Sequence, residues 1–162
     1  MTLTESTILL AEKLGEKLLQ KQWQISCAES CTGGGIGYAI TSISGSSAWF
    51  EQGFLTYSND AKQQLVGVSA ATLDEHGAVS ADVVEQMAAG AAQAAGAQLG
   101  IAVSGVAGPT GGTEDKPVGT VWFGVYVDGN CLSEKMCFDG DRHQVREQTI
   151  QHALSYCLRV LA

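Results

Sequence analysis

Trp23-Gln24-Ile25-Ser26-Cys27-Ala28-Glu29-Ser30-Cys31-Thr32-Gly33-Gly34-Gly35 begins as an alternating apolar run over 23–27 and then breaks into small, hydroxyl-bearing and glycine residues. A strand that ends in such a turn and continues as a helix is how α/β proteins build ligand sites. A helix N-terminus leaves backbone N–H groups unpaired and carries partial positive charge, so an anion is welcome there. Glycines remove the Cβ atoms that would hold a phosphate or acyl oxygen away. Ser30, Cys31 and Thr32 put two hydroxyls and a thiol at the same turn. The stretch therefore reads as a site with a candidate nucleophile as well as a binding cradle.

Working outward, residues 5–21 place Leu10, Ala11, Leu14 and Leu18 on one face behind Thr4, an amphipathic helix with its N-cap. After the 23–28 strand, residues 33–43 predict a short small-residue helix, and 44–50 a loop anchored by Trp49 and Phe50. Residues 53–57 read as a second strand, with Ser58-Asn59-Asp60 capping a helix over 61–66. Ser80 opens the clearest helix, carrying Val84, Met87, Ala88, Ala91 and Ala95. Residues 99–104 form a continuous apolar run, the mark of a strand covered on both faces. A glycine-rich loop spans 105–117, and loops of that length in compact domains are often functional. Asp128-Gly129 joins strands 118–127 and 131–138 as a hairpin, and Asp141 caps a C-terminal helix. This order predicts one α/β domain over 1–162, a three-layer α/β/α sandwich with a mixed, mostly parallel central sheet.

The totals agree with one substantial core. The chain has 162 residues, of which 45% are hydrophobic and 16% charged, so disorder is excluded. A net charge of −8 without a basic stripe disfavours nucleic acid. Nothing reads as a membrane span or a signal peptide. The five cysteines form no C-x-x-C pair and are expected to be reduced thiols of a cytoplasmic protein. No His and Cys cluster predicts a metal site, and no cofactor is expected.

Three loops follow strand ends, 29–35, 57–62 and 104–117, and they converge if the strands are parallel. A serine needs a base, but none of His76, His143 and His152 lies in these loops. Lys62 is the alternative, because burial lowers an amine's pKa, and Tyr57 stands near to relay or orient the proton. On spacing alone Lys62 reads rather as a solvated helix residue, and Ser30 as readily as a helix cap. Cys31 competes as nucleophile, since a helix dipole activates a thiolate, although no histidine partners it. Loop 105–113 lacks the lysine and spacing of a P-loop, and 33–37 lacks the dinucleotide fingerprint. Arg142 is a candidate anion clamp, or a surface arginine at a helix start.

Six blocks then carry a resemblance: AESCTGG at 28–34, GSSAWF at 45–50, GFLTYSNDAK at 53–62, GAVS at 77–80, SGVAGPTGG at 104–112 and KPVGTVW at 116–122. Together, in order and across nearly the whole chain, they resemble the CinA C-terminal domain family. The resemblance implies an amidohydrolase of pyridine-nucleotide salvage, converting nicotinamide mononucleotide and water to nicotinate mononucleotide and ammonia. It implies Ser30 as nucleophile, Lys62 as base and Tyr57 as assistant. Backbone N–H groups around Thr32, Gly33 and Gly34 are then expected to hold the oxyanion. The ribose phosphate is expected on Ser104, Gly105, Gly108, Gly111 and Gly112 with Arg142, although the two subsites are interchangeable on sequence. The expected partner is a small phosphorylated nucleotide, and small-residue helices suggest a homodimer. The competing readings are a non-catalytic nucleotide-binding module of the same fold and a thiol redox protein using Cys31.

Overall fold

The computed structural model describes residues 2–162. Helix α1 (Glu5–Lys21) starts at Thr4, whose hydroxyl accepts from Thr7 N–H at 3.2 Å. Strand β1 (Ile25–Glu29) is buried along its whole length. Helix α2 (Gly35–Thr41) and a 3-10 turn (Ser46–Ala48) lead to β2 (Phe54–Leu55). Helices α3 (Asn59–Val66), α4 (Ala70–His76) and α5 (Ala81–Ala95) precede β3 (Leu99–Gly105). The hairpin β4 (Thr120–Val127) and β5 (Asn130–Cys137) then delivers the chain to α6 (Arg142–Leu161).

The sheet order is β2-β1-β3-β4-β5. β1 pairs with β2 and β3 in parallel, whereas β3–β4 and β4–β5 are antiparallel. Four strands thus run in one direction, and β4 alone opposes them. One core joins α1, α2 and α6 to one face through residues such as Leu14, Ile36, Leu154 and Phe123. A second core joins α3, α4 and α5 to the other through Val66, Leu73, Met87 and Ala102. The three layers match the expected sandwich.

Glycine sets how closely the layers approach. A Cβ on Gly100 of β3 would lie 2.3 Å from Ala88 O of α5, and one on Gly124 of β4 would lie 2.2 Å from Val84 O. The backbone of α5 therefore rests directly on the sheet, as its alanine-rich face foretells. One local expectation needs correction, and one helix is added. The strand expected over 53–57 shortens to Phe54–Leu55, because Gly53 packs over Cys27 and Thr56 N–H closes the pairing by donating to Glu29 O at 2.8 Å. Helix α4 lies between the helices expected over 61–66 and from Ser80, where the sequence reading gives no element; Ser69 caps it as Ser58 and Ser80 cap their helices.

The topology positions the site. The connection from β1 to β2 passes over one face through α2, and the connection from β2 to β3 returns over the other through α3, α4 and α5. A crevice therefore opens outside the carboxyl ends of β1 and β3, the switch point where open α/β sheets bind ligands.

Candidate active site

Ser30 is the residue that leaves β1. Its N–H donates to Val103 O of β3 at 3.2 Å, and its carbonyl accepts from Gly33 N–H at 3.1 Å, which closes a tight turn. The Ser30 side chain points into a cavity of about 340 Å³, together with Tyr57, Lys62, Ser104, Gly105, Gly108, Gly111 and Arg142. Among the lining residues none is an aspartate or glutamate.

Lys62 reaches this cavity from the first turn of α3, which Ser58 caps by accepting from Ala61 N–H at 3.0 Å. It is 1% exposed, so the reading of a solvated helix residue is overturned. Its Nζ lies 3.2 Å from Ser30 Oγ and donates to Thr56 O at 2.9 Å and Tyr57 O at 3.1 Å. Burial without a carboxylate partner lowers the pKa of the amine from its ordinary value of 10.5. A neutral amine has two hydrogens and one lone pair. Protonated, Lys62 Nζ donates to all three oxygens, Ser30 Oγ included; once neutral, it can keep the two carbonyls and turn its lone pair to the Ser30 hydroxyl.

Tyr57 reaches the site in another capacity from the one expected. Its carbonyl meets Lys62, while its exposed phenol accepts from Arg142 Nη2 at 3.4 Å. Arg142, the first residue of α6, also donates from Nη1 to Gly108 O at 2.8 Å. It bridges the rim between the loops after β2 and β3 and is no stray surface arginine.

Thr32, Gly33, Gly34 and Gly112 do not line the cavity, contrary to the sequence reading. Thr32 is buried and donates its hydroxyl to Glu29 Oε1 at 2.6 Å. Gly33 N–H is used in the Ser30 turn, and Gly34, at φ +103°, caps α2 beneath the Leu55 side chain. The reason is that the N-terminus of α2 already holds an anion. The Glu29 carboxylate, 2% exposed, accepts from Ile36 N–H at 2.7 Å and Gly37 N–H at 3.0 Å. Gly112 packs against Val118, outside the crevice.

Loop 105–119 supplies the opposite wall. It is tied down by Val106 N–H to Thr120 O and Gly119 N–H to Val106 O, both 2.8 Å. The amides of Ala107, Gly108, Thr110 and Gly111 make no hydrogen bond among the described residues. Gly108 and Gly111 take φ of +84° and +90°, which only glycine adopts without strain.

Cys31 borders the cavity but is 6% exposed and belongs to the α2–α6 core. Burial, with Glu29 adding to it, pushes its thiol up to about 12. A thiol held that high is not a nucleophile at neutral pH. Sequence reasoning passed over Glu29 and Arg146. Arg146 of α6 donates from Nε to Cys31 O at 3.0 Å and from Nη2 to Thr32 O at 3.3 Å, clamping the turn from behind. Glu29 had a signal, an acid ending an apolar strand, whereas nothing local distinguishes Arg146 from other helix arginines. No helix among the described residues is long and apolar enough to cross a membrane, and no group of potential metal ligands was found among them.

The chain is 54% identical over 151 residues to a nicotinamide-nucleotide amidohydrolase, PncC, of Enterobacter agglomerans, covering 93% of this chain and 92% of the relative. It is 50% identical over 154 residues to the protein of the same name from Escherichia coli strain K12, covering 94% and 93%. The crystal structure of competence/damage inducible protein CihA from Agrobacterium tumefaciens superposes with a TM-score of 0.94 at 40% identity, covering 99% of this chain and 98% of that one. The profile of the CinA C-terminal domain matches residues 8–161, and the chain belongs to that family.

Proposed function

We propose that the chain hydrolyses the carboxamide of nicotinamide mononucleotide, giving nicotinate mononucleotide and ammonia, with Ser30 as nucleophile and Lys62 as base. The observation that carries this reading is the 3.2 Å approach of Ser30 Oγ to a buried amine with no acidic partner. The amidohydrolase names of close relatives support the substrate. Neutral Lys62 takes the hydroxyl proton as Ser30 Oγ bonds to the amide carbon, and the carbonyl electrons move onto oxygen. The tetrahedral oxyanion collapses, the C–N bond breaks, and Lys62 returns the proton to the departing nitrogen, which leaves as ammonia. Water then attacks the acyl-serine ester with Lys62 again as base, releasing the carboxylate and restoring Ser30.

Ala107, Gly108, Thr110 and Gly111 line the cavity with amides that no other group among the described residues takes, and in this reading they are the donors for the oxyanion and the phosphate, with Arg142 as the phosphate's cation. A single well-placed oxyanion donor contributes about 3–4 kcal/mol to the transition state. The test is ammonia release from nicotinamide mononucleotide by the purified chain, Ser30→Ala and Lys62→Ala. Both variants are expected to bind substrate and to lose turnover. Full turnover by either one overturns the mechanism, and no turnover by the parent leaves only nucleotide binding.

A further inference from the structure

Glu29 has no part in the proton transfers above, yet it is the most elaborately partnered buried charge near them. Its carboxylate accepts from the Thr32 hydroxyl at 2.6 Å, Ile36 N–H at 2.7 Å and Gly37 N–H at 3.0 Å, with Cys27 Sγ at 3.8 Å. The first two share Oε1, and the last two share Oε2. The carboxylate thus ties the strand end before Ser30 to the turn after it and to the first turn of α2. It stands where an external anion would bind if the helix N-terminus were free. Arg146 closes the other side of the same turn through Cys31 O and Thr32 O.

We infer that Glu29 is the positioning residue of the nucleophile, fixing Ser30 against Lys62 through Thr32 and the α2 amides. The inference rests on Ser30 being the nucleophile. A nucleophile that drifts by about 1 Å loses on the order of 10²-fold in rate, while contacts to the distant substrate phosphate are untouched. Glu29→Gln keeps the side-chain shape but turns an NH₂ toward donors on one edge, and Thr32→Val removes one hydrogen bond at constant volume. Charge loss at Glu29 also leaves Lys62, held by Thr56 O and Tyr57 O, in place.

Turnover of nicotinamide mononucleotide and labelling of Ser30 by a fluorophosphonate are measured well below the unfolding temperature, where circular dichroism shows each variant folded. Glu29→Gln is expected to lower kcat and the labelling rate by about 10²-fold and Thr32→Val by about 10-fold. KM and the position of the acid limb of the pH–rate profile are expected to stay as in the parent. A role in stability alone would lower the melting temperature and leave the labelling rate per folded molecule unchanged, which overturns the inference. So does an unchanged rate in Thr32→Val where Glu29→Gln does not fold. Should Ser30→Ala keep full turnover, the Ser30 mechanism falls by itself. Hydrogen exchange over 30–37 then decides for Glu29: faster exchange in Glu29→Gln upholds its hold on the turn, and unchanged exchange refutes it.

Discussion

Replacing Lys62 by methionine keeps an unbranched chain in the buried slot and deletes the amine. In its neutral form the amine donates to Thr56 O and Tyr57 O, and two such bonds contribute about 2 kcal/mol at roughly 1 kcal/mol each. In its charged form the same group carries the cost of leaving water, which is why burial lowers its pKa from 10.5. The folded-state pKa is therefore below the unfolded one, and between the two values the unfolded chain binds more protons. The stabilisation is present above 10.5 and is lost as pH falls through the folded-state value, at about 1.4 kcal/mol per unit separating the two. The parent is expected to exceed Lys62→Met in stability by about 2 kcal/mol near that upper value, and the gap is expected to narrow toward neutrality.

Urea denaturation of both proteins at a series of pH values from about 7 upward reads this directly. Cys27 and Cys157, whose burial raises their thiol pKa, are common to both chains and cancel in the difference. Turnover of the variant is expected to fall by about 10²- to 10⁴-fold, the usual worth of a general base, with no recovery on raising the pH. A stability gap that is constant or widens as pH falls would refute the buried, uncharged amine. Parent-like turnover by Lys62→Met would refute its role as base.

Cys31→Ala is expected to keep turnover within a few-fold, and peptide mapping after iodoacetamide at about pH 8 should find Cys31 of the native parent unmodified, because its thiol is pushed up to about 12. Arg142→Met severs the contacts to Gly108 O and the Tyr57 phenol and removes the rim cation; KM should rise by about 10-fold or more with kcat nearly kept. An equal fall in kcat and kcat/KM would instead put Arg142 at the reacting atoms. Gly90→Ala drives a Cβ to 1.7 Å from Val66 O, so a loss of more than about 3 kcal/mol is expected in urea denaturation, and parent-like stability would contradict the contact between α3 and α5.

The layer architecture was legible because each element declares itself locally. Ser58, Ser80 and Asp141 cap the helices they were expected to cap, and Asp141 forms a reciprocal box with Gln144. The apolar run 99–104 is buried on both faces, as continuous runs are. Convergence of the three loops followed from parallel pairing of β1, β2 and β3. What local pattern does not show is which backbone groups a particular side chain folds back to meet. The glycine turn reads as an open anion cradle until Glu29, one residue before Ser30, is seen folding back onto Ile36 and Gly37. Lys62 reads as solvated until the Thr56 and Tyr57 carbonyls are placed around it. Arg146 meets Cys31 and Thr32 only because α6 returns across α2 at the end of the chain.

Why the proposed mechanism takes a hydroxyl when a thiol stands next to it follows from where the turn sends each side chain. Ser30 and Cys31 leave β1 in succession, and the turn directs Ser30 over the carboxyl edge toward α3, while Cys31 enters the core beneath α2 and α6. The two environments act in opposite directions on nucleophilicity. Burial raises the thiol, and the neighbouring Glu29 carboxylate raises it further, outweighing the attraction of Arg146 and Lys62. Burial of Lys62 lowers the pKa of its amine instead, and that amine lies 3.2 Å from Ser30 Oγ, where the proposed mechanism uses it as base. A thiolate at this turn would pair with Lys62 and hold it protonated, so the base would be lost as the nucleophile formed. A serine stays neutral until the substrate arrives and gives up its proton only during attack. On the proposed mechanism, the Glu29 carboxylate behind the turn and the low-dielectric slot around Lys62 both favour the serine over the thiol as nucleophile.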